Sequence, residues 1–436
     1  MKRRVAIATL GCKVNQYESA AFGSGFAAAG CRVVDPREAA DIYVINTCAV
    51  TARAGQQSRQ LIRRILRENP KARCVVTGCY VQAEGAKAAT ITDGPLIVIG
   101  NGEKDQLVRR VLLTSDGEEI VEVGDISRQR EICHLEVGKF RGRTRAFLRI
   151  QDGCNNFCSY CIVPHTRGPS RSLPLADVRQ QVDIFRRNHY REIVVTGINV
   201  GKYGLDLDEG ETIISLLDLL CSRYPDIRFR LSSIEPPEIN DALLELAVRH
   251  ANFMPHFHIP LQSGDDAVLK RMRRRYTVDL FVEAVWKLHR LLPGAAIGVD
   301  VLAGFPGEDG RAHARTVQLL EELPVTYLHV FPYSRRPGTP AAAMAAQVSR
   351  EIKGERVARL RTVDREKRGR FHRRALHRTL RVLVEGRDEK TGMYRGFSEN
   401  YVPVFFQGGD GLVNHVVEVV AERVMEKGVR ARLLEK

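Results

Sequence analysis

The first 115 residues alternate short apolar runs with longer segments of helical periodicity. Apolar runs of strand length lie at residues 5–9, 42–46, 74–77 and 96–99. Apolar positions recur at helical spacing over residues 15–29 and 52–68, and Asn69-Pro70 ends the second of these helices. Because strands and helices alternate, the pattern predicts a parallel sheet with helices on its faces.

The same alternation returns after residue 140, over six strand–helix units. The predicted strands lie at residues 146–150, 192–196, 228–232, 256–259, 297–301 and 326–331. The predicted helices lie at residues 175–187, 212–222, 239–250, 266–272, 278–292 and 311–323. Units of this number and length indicate an open (β/α)6 partial barrel, in which the C-terminal strand ends carry the chemistry, as they do in complete barrels.

The pattern changes again near the C-terminus. Residues 380–384, 393–397, 402–406 and 416–420 are short runs rich in β-branched and aromatic side chains, which predicts a small antiparallel barrel. A helix over residues 350–374 connects it to the central barrel. We therefore expect an α/β protein with an N-terminal domain at 1–115, a linker at 116–139, a central domain at 140–370 and a C-terminal domain at 371–436.

Composition narrows the class of protein. Hydrophobic residues make up 44% of the chain, as in ordinary globular proteins, and every apolar run is far shorter than a membrane span. The apolar run at residues 5–10 is too short for a signal peptide. Ten cysteines in 436 residues are too few for a disulfide scaffold, and their spacing indicates intracellular metal binding. We expect a cytoplasmic protein with no membrane contact.

The positive charge is clustered. The net charge is +15, and residues 349–378 hold twelve Lys and Arg against four Asp and Glu. Residues 139–149 and 270–275 each carry five basic residues and no acidic one. A single run of this kind is often a solvated helix face, but three together favour a nucleic-acid partner, because phosphate contacts supply much of nucleic-acid affinity.

Three cysteines at a C-x3-C-x2-C spacing are the most specific feature of the chain. Cys154, Cys158 and Cys161 stand in a polar turn that also contains Gly153 and Asn155. Soft thiolates select iron–sulfur clusters or zinc, and a four-iron cluster normally has four thiolates. Three local thiolates would leave one iron open to a non-protein ligand. The alternative is a zinc knuckle or a structural cluster, although zinc knuckles usually combine C-x2-C pairs with four ligands.

A second set of cysteines follows predicted strands. Cys12, Cys48 and Cys79 each lie just past the C-terminal end of a strand, where ligands bind in open α/β sheets. We therefore expect these three to meet at one edge of the sheet. Cys31 and Cys74 have no such position and are expected to be packing residues.

These motifs resemble those of a known family. The stretch from Cys154 to Cys161 is similar to the signature of radical S-adenosylmethionine (SAM) enzymes, and Gly11-Cys12-Lys13-Val14-Asn15, Asn46-Thr47-Cys48 and Thr77-Gly78-Cys79 resemble the N-terminal domain of the methylthiotransferases. The C-terminal barrel resembles the TRAM domain, an RNA-binding module. In that setting Tyr394, Phe397, Tyr401 and Phe405 could stack bases, although half of them are expected to pack in the barrel core.

The resemblance implies cofactors and site residues. Two 4Fe–4S clusters are implied, one held by Cys154, Cys158 and Cys161 with SAM at its open iron, and one held by Cys12, Cys48 and Cys79, at whose open iron sulfur is attached. It further implies a set of SAM-contacting residues, namely Tyr160, Thr196, Gly197, Ser232, Glu235 and Gln262. The cluster held by Cys154, Cys158 and Cys161 would pass one electron to SAM, and the resulting radical would activate C2 of an adenine. No catalytic residue beyond the cluster ligands is predicted.

One branch of the family fits the motifs best, namely the branch that methylthiolates N6-threonylcarbamoyladenosine at tRNA position 37. The expected partners are the tRNA anticodon stem-loop, an electron donor such as flavodoxin or ferredoxin, and a sulfur source. Two other branches remain open: one acts on isopentenyladenosine in tRNA, and the other acts on an aspartate of a ribosomal protein. A different class, a non-enzymatic RNA-binding protein with clusters or zinc, also remains open.

Overall fold

The computed structural model describes residues 2–92, 94–115, 117–208 and 210–434. The predicted segments 1–115, 116–139 and 371–436 include residues 1, 116, 435 and 436, which lie outside the described ranges. Within the described ranges, no helix combines the length and the apolar character that crossing a lipid bilayer requires.

The N-terminal part is built on one parallel sheet of six strands. These are β1 (Arg4–Thr9), β2 (Arg32–Val34), β3 (Ile42–Thr47), β4 (Arg73–Gly78), β5 (Ile97–Ile99) and β6 (Ile120–Glu122), in the order β2-β1-β3-β4-β5-β6. Its helices are α1 (Lys13–Ala28), α2 (Ala52–Glu68), α3 (Cys79–Glu84) and α4 (Leu107–Leu113). All five strand pairs are parallel, as predicted. Strand β6 falls within the predicted linker and forms one edge of this sheet.

The central part contains six parallel strands in two sheets of three. They are β7 (Arg145–Arg149), β10 (Glu192–Thr196), β11 (Arg228–Leu231), β12 (His256–Gln262), β13 (Ala296–Ala303) and β14 (Tyr327–Pro332), and a short antiparallel pair, β8 (Gln151–Asp152) and β9 (Arg171–Ser172), lies beside them. The sheets have the orders β11-β10-β7 and β12-β13-β14, and isolated bridges join β11 to the segment around β12. The predicted six-stranded partial barrel is confirmed, and β7 and β14 are its outer strands.

The central part contains the following helices, most of which cover the outside of its barrel. They are α5 (Val163–Arg167), α6 (Leu175–Arg187), α7 (Ile213–Arg223), α8 (Asp241–Arg249), α9 (Asp266–Arg271), α10 (Val278–Leu291), α11 (Gly310–Glu322), α12 (Pro340–Ala343) and α13 (Arg350–Arg374). Side chains from β7 and β10 to β14 form the largest hydrophobic core together with α6, α7, α8, α10, α11 and α13. Helix α1 of the N-terminal part packs against β7, so the first sheet and the central barrel share an interface.

Five strand pairings, four antiparallel and one parallel, close the C-terminal barrel. Its strands are β15 (Thr379–Arg387), β16 (Tyr394–Ser398), β17 (Pro403–Gln407), β18 (Val416–Met425) and β19 (Gly428–Leu433), in the closed order β15-β16-β17-β19-β18. The last strand was not predicted from the sequence. The fold class is confirmed in all three parts, and the boundaries between domains stay predictions.

Candidate active site between two cysteine triads

The first triad consists of Cys12, Cys48 and Cys79, and the fold brings these three distant residues together. Cys12 precedes α1, Cys48 follows β3, and Cys79 opens α3 directly after β4. Burial, together with the nearby charges of Cys79 and Cys12, raises the pKa of Cys48 to about 11. Gly11, at φ +99°, leaves room that a side chain would take, since an added Cβ would lie 3.0 Å from the Cys48 Sγ.

The second triad consists of Cys154, Cys158 and Cys161, in the loop after β8. Gly153 allows this loop to form, because its φ is +75° and an added Cβ would lie 1.8 Å from the Pro169 carbonyl oxygen. Burial raises the pKa of Cys161 to about 12, and the nearby thiolates of Cys158 and Cys154 raise it as well. Thiols with raised pKa values are protonated at neutral pH and need a cationic centre to hold them as thiolates.

The spacing of both triads is wider than one metal ion requires. In the described part of the chain, the group whose donor atoms all lie within 4.8 Å of one another is His258, Asp300 and His329, and neither cysteine triad is that compact. A single zinc ion holds its thiolates at about 2.3 Å, which keeps the sulfurs close together. Thiolate triads with wider spacing fit an iron–sulfur cluster better than they fit a zinc ion.

An arginine stands beside each triad. The Arg274 Nη1 donates to the Cys158 Sγ at 3.3 Å, and the same guanidinium pairs with Glu235. The Arg167 charge lowers the pKa of Cys12, although burial has the larger, opposite effect. The Arg167 guanidinium therefore favours the thiolate form of Cys12, and the Arg274 guanidinium donates a hydrogen bond to the second triad.

A buried charge network joins the two triads. Arg167, at the end of α5 beyond the second triad, donates to Glu18 at 3.0 Å, to Asp152 at 2.9 Å and to the Asn15 Oδ1 at 2.6 Å. Lys104 pairs with Glu18 at 2.5 Å, and both side chains are 1% exposed. Because Glu18 and Asn15 lie on α1, which begins directly after Cys12, the network fixes that helix against the loop of the second triad.

The six residues predicted to contact SAM lie at the C-terminal ends of barrel strands or in the loop of the second triad. Thr196 and Ser232 are buried at the ends of β10 and β11. Gly197 packs against Gln151, whose side-chain oxygen lies 2.9 Å from where a Cβ would be. Glu235 pairs with Arg274 beside the triad, and Gln262 ends β12 with φ +64°.

Tyr160 lies within the second triad itself. Its ring packs edge-on against Phe305 at 6.4 Å. Burial raises its pKa well above the usual value, and Arg274 is the neighbour whose charge opposes that rise. The phenol is therefore neutral, and it shares its surroundings with the two cysteines on either side.

Two buried serine hydroxyl oxygens at the ends of barrel strands have no hydrogen-bond partner among the described residues. They belong to Ser232 after β11 and Ser263 after β12. Buried polar atoms are nearly always paired in folded proteins, so unpaired ones at a single edge indicate a polar ligand. With the Glu235 carboxylate nearby, these groups suit the ammonium and ribose hydroxyls of SAM.

Sequence reasoning missed the cations of the site. Arg274 belongs to the basic run at residues 270–275, which was interpreted as a surface for a polyanion, yet its side chain is 5% exposed. Lys270, Arg273 and Arg275 of the same run are exposed, as expected. Nothing in the sequence separates the inward arginine from its neighbours, because the direction of a side chain depends on the turn after α9.

Four aromatic residues of the C-terminal barrel were candidates for stacking bases, and half of them were expected to pack in the core instead. Tyr394 is 2% exposed and stacks on Phe406 in the barrel core. Phe397 and Tyr401 stack on each other at 4.5 Å and lie under Arg145 of the central barrel. These three rings are used in packing, and Phe405 alone of the four stays partly exposed outside such a contact.

Comparison with known proteins agrees with this arrangement. Two family models match, the uncharacterized protein family UPF0004 over residues 4–100 and the radical SAM superfamily over residues 148–320. The threonylcarbamoyladenosine tRNA methylthiotransferase MtaB of Bacillus subtilis (strain 168) is 40% identical, over 95% of this chain and 93% of its own length. The chain belongs to the radical SAM methylthiotransferase family.

Other members of this methylthiotransferase family are similar at lower identity. The tRNA-2-methylthio-N(6)-dimethylallyladenosine synthase of Fusobacterium nucleatum is 31% identical, over 96% of each chain. Among solved structures, the radical S-adenosylmethionine methyltransferase TsrM from Kitasatospora setae matches with a TM-score of 0.56 at 16% identity, over 78% of this chain and 77% of that one. At such low identity this likeness shows the fold alone.

Proposed function

We propose that this methylthiotransferase adds a methylthio group to C2 of N6-threonylcarbamoyladenosine at position 37 of tRNA. The observation that supports the proposal most is the meeting of two cysteine triads across one buried charge network. Full-length relatives that are 34% to 40% identical carry the name threonylcarbamoyladenosine tRNA methylthiotransferase, which favours this substrate.

In this proposal each triad holds a 4Fe–4S cluster with one open iron. The second triad serves the cluster that binds SAM, and the first triad serves the cluster at which sulfur is attached. SAM is contacted by Tyr160, Thr196, Gly197, Ser232, Glu235 and Gln262. When bound, the two clusters and SAM supply the electron transfer, the radical chemistry and the methylated sulfur that the reaction needs.

The target bond explains why such cofactors are needed. The C2–H of a purine is neither acidic nor electrophilic, so a positioned acid or base gives little acceleration there. The work of the protein is then to place base, SAM and sulfur together and to exclude water.

The contacts around the two triads suit this role of positioning the reactants and excluding water. Arg274 holds the Glu235 carboxylate beside Cys158, and so fixes a polar group next to the second triad. Arg167 and Glu18, each 1% exposed, form a water-free link between the elements that carry the two triads and hold these elements at a fixed separation. The exposed basic residues of α13 and of the run at residues 270–275 provide a surface for the phosphates of an anticodon stem-loop.

The reaction also requires an electron donor, such as flavodoxin or ferredoxin, and a source of sulfur. We propose that the protein meets these partners and its tRNA in the cytoplasm.

The proposal is tested by reconstituting the clusters anaerobically and supplying SAM, reductant and sulfide. Anticodon stem-loops carrying threonylcarbamoyladenosine or dimethylallyladenosine at position 37 are compared by nucleoside mass spectrometry. We expect the mass of one methylthio group to be added to the threonylcarbamoyl nucleoside, with little or no change in the other.

Two other outcomes have defined meanings. Modification of the dimethylallyl nucleoside alone would assign the chain to the activity named for its relatives from Fusobacterium nucleatum and Desulfitobacterium hafniense. If neither RNA is modified while 5′-deoxyadenosine is released, the radical enzyme stands and the substrate is wrong. If both clusters are intact and no 5′-deoxyadenosine forms, the enzymatic function itself is contradicted.

A further inference from the structure

Three polar side chains form a compact group on the inner face of the central barrel. His258, Asp300 and His329 come from the adjacent strands β12, β13 and β14, and Asp300 and His329 are direct partners in the strand pairing. The His258 Nε2 lies 3.1 Å from the Asp300 Oδ1, and the His329 Nδ1 lies 3.3 Å from the same oxygen. Nothing in the site described above uses this group.

A hydrogen bond fixes the orientation of the group, and two of its polar atoms make no aligned hydrogen bond. The Ser233 Oγ lies 2.7 Å from the His258 Nδ1 and orients that ring toward Asp300. His258 is 9% exposed, and in the described part of the chain its Nε2 and the Asp300 Oδ1 have no aligned hydrogen-bond partner. Because these two atoms face each other at 3.1 Å without forming an aligned hydrogen bond, a polar ligand that entered the group would supply a bond that it lacks.

One side of the group is open. The His329 side chain is 49% exposed, and Phe331 beside it is 46% exposed. The other end of the inner face is closed by Tyr401 of the C-terminal barrel, whose ring lies 4.5 Å from that of His256. A ligand therefore reaches the group from the His329 side.

Lys13 faces the same space from the first triad. It directly follows Cys12, and its amine lies within electrostatic reach of Asp300, Tyr401 and Arg145. A substrate held between the two triads would thus have Lys13 on one side and His329 on the other. His329 and Lys13 can donate hydrogen bonds, and Asp300 can accept one. This combination suits a ligand that carries both a carboxylate and a hydroxyl or N–H group.

The two candidate substituents of the target adenosine differ in this respect. A threonylcarbamoyl group carries a carboxylate, a hydroxyl and a urea, whereas a dimethylallyl group is a branched hydrocarbon. A site built to hydrogen-bond its ligand discriminates strongly against an analogue that leaves its buried groups unpaired.

We propose that His258, Asp300 and His329, with Lys13 opposite, bind the polar N6 substituent of the target adenosine and select an amino-acid-bearing nucleoside over a prenylated one. His329 and Lys13 donate to the carboxylate, and Asp300 accepts from the hydroxyl or the urea. This inference rests on the proposed function and assigns its specificity to named residues.

The same three side chains match the two-histidine, one-carboxylate donor set of a divalent metal site. Metal binding is therefore an outcome of the test and not the inference.

The test compares His329→Phe and Asp300→Asn with a matched control, His134→Phe, at a side chain that is 67% exposed on the surface. Each protein is given stem-loops carrying threonylcarbamoyladenosine, dimethylallyladenosine or plain adenosine, and kcat and KM for the methylthio product are measured. Iron content and 5′-deoxyadenosine released without RNA report whether the clusters and the SAM site are intact.

We expect His329→Phe and Asp300→Asn each to lower kcat/KM for the threonylcarbamoyl RNA about tenfold or more, chiefly through KM, because each loses a charged hydrogen bond. The preference over the dimethylallyl RNA should narrow, and RNA-independent 5′-deoxyadenosine should stay within twofold of wild type. The control should match wild type throughout.

Other results overturn the inference. If both variants keep the wild-type preference, the group does not contact the substituent. If wild type contains a metal ion beyond its cluster iron that His329→Phe loses, the group is a metal site. If wild-type protein prefers the dimethylallyl RNA, the proposed function fails, whatever the variants do.

Discussion

Glu18→Gln perturbs the network between the triads with almost no change of shape. Glu18 accepts from Lys104 at 2.5 Å and from Arg167 at 3.0 Å, and all three side chains are 1% exposed. Burial would raise the pKa of Glu18, but Arg167, Lys104 and Arg149 together hold it well below its usual range. The carboxylate is therefore ionised in the folded protein.

The size of the effect follows from burial. Removing one partner of a buried ion pair costs about 3–5 kcal/mol, because the remaining charge stays desolvated without compensation. A neutral amide at position 18 leaves Lys104 in that state. Surface pairs contribute about 0.2–1 kcal/mol. Asp226→Asn, which breaks the exposed Arg186–Asp226 pair at 3.1 Å, is the matched control.

Urea unfolding followed by far-ultraviolet circular dichroism, under anaerobic conditions, measures both variants. With a slope of about 3 kcal/mol per molar urea, Glu18→Gln should lower the first midpoint by about 1–2 M, and Asp226→Asn by no more than about 0.3 M. If the two shifts are equal, the network does not hold the N-terminal part against the barrel, and the reasoning is refuted.

Three further predictions concern single side chains. Arg274→Gln should keep iron content but lower 5′-deoxyadenosine formation at least about tenfold, since a charged contact to Cys158 is lost; an unchanged rate contradicts this. Gly153→Ala should remove about half of the bound iron while Gly142→Ala, at φ +68° with open space around it, should not, as an iron assay shows. Burial lowers the pKa of His372 to about 4 from about 6.5 when unfolded, so this group should cost the protein about 3 kcal/mol of stability as the pH falls from 6.5 to 4. His372→Leu should flatten that part of the urea-midpoint profile against pH, and parallel profiles would contradict the assignment.

The sequence predicted the parts of the site that depend on topology. Cys12, Cys48 and Cys79 were expected to meet because C-terminal ends of parallel strands share one edge, and the sheet order β1-β3-β4 makes them neighbours. The six barrel strands were predictable because short apolar or alternating runs, such as Arg228–Leu231 and His256–Gln262, recur between segments of helical periodicity.

Other features depend on tertiary contacts that a local pattern does not contain. Strand β19 carries the charged residues Arg430 and Arg432 on its outer positions, and its pairing with β17 decides its conformation. Glu18 and Arg167 are 149 residues apart, and each resembles a surface charge in sequence. The sequence did not show which of the aromatic residues, such as Tyr394, pack in the core, because a barrel core and a stacking platform have the same composition.

The central claim is that the two triads hold two clusters with different tasks. It is tested most directly by measuring 5′-deoxyadenosine and methylthio nucleoside in the same reaction, for wild type, Cys48→Ala and Cys158→Ala. The account predicts that Cys158→Ala forms neither product, and that Cys48→Ala still forms 5′-deoxyadenosine but no methylthio nucleoside. If Cys48→Ala forms the methylthio nucleoside at the wild-type rate, the first triad does not hold the sulfur-bearing cluster and the account is wrong.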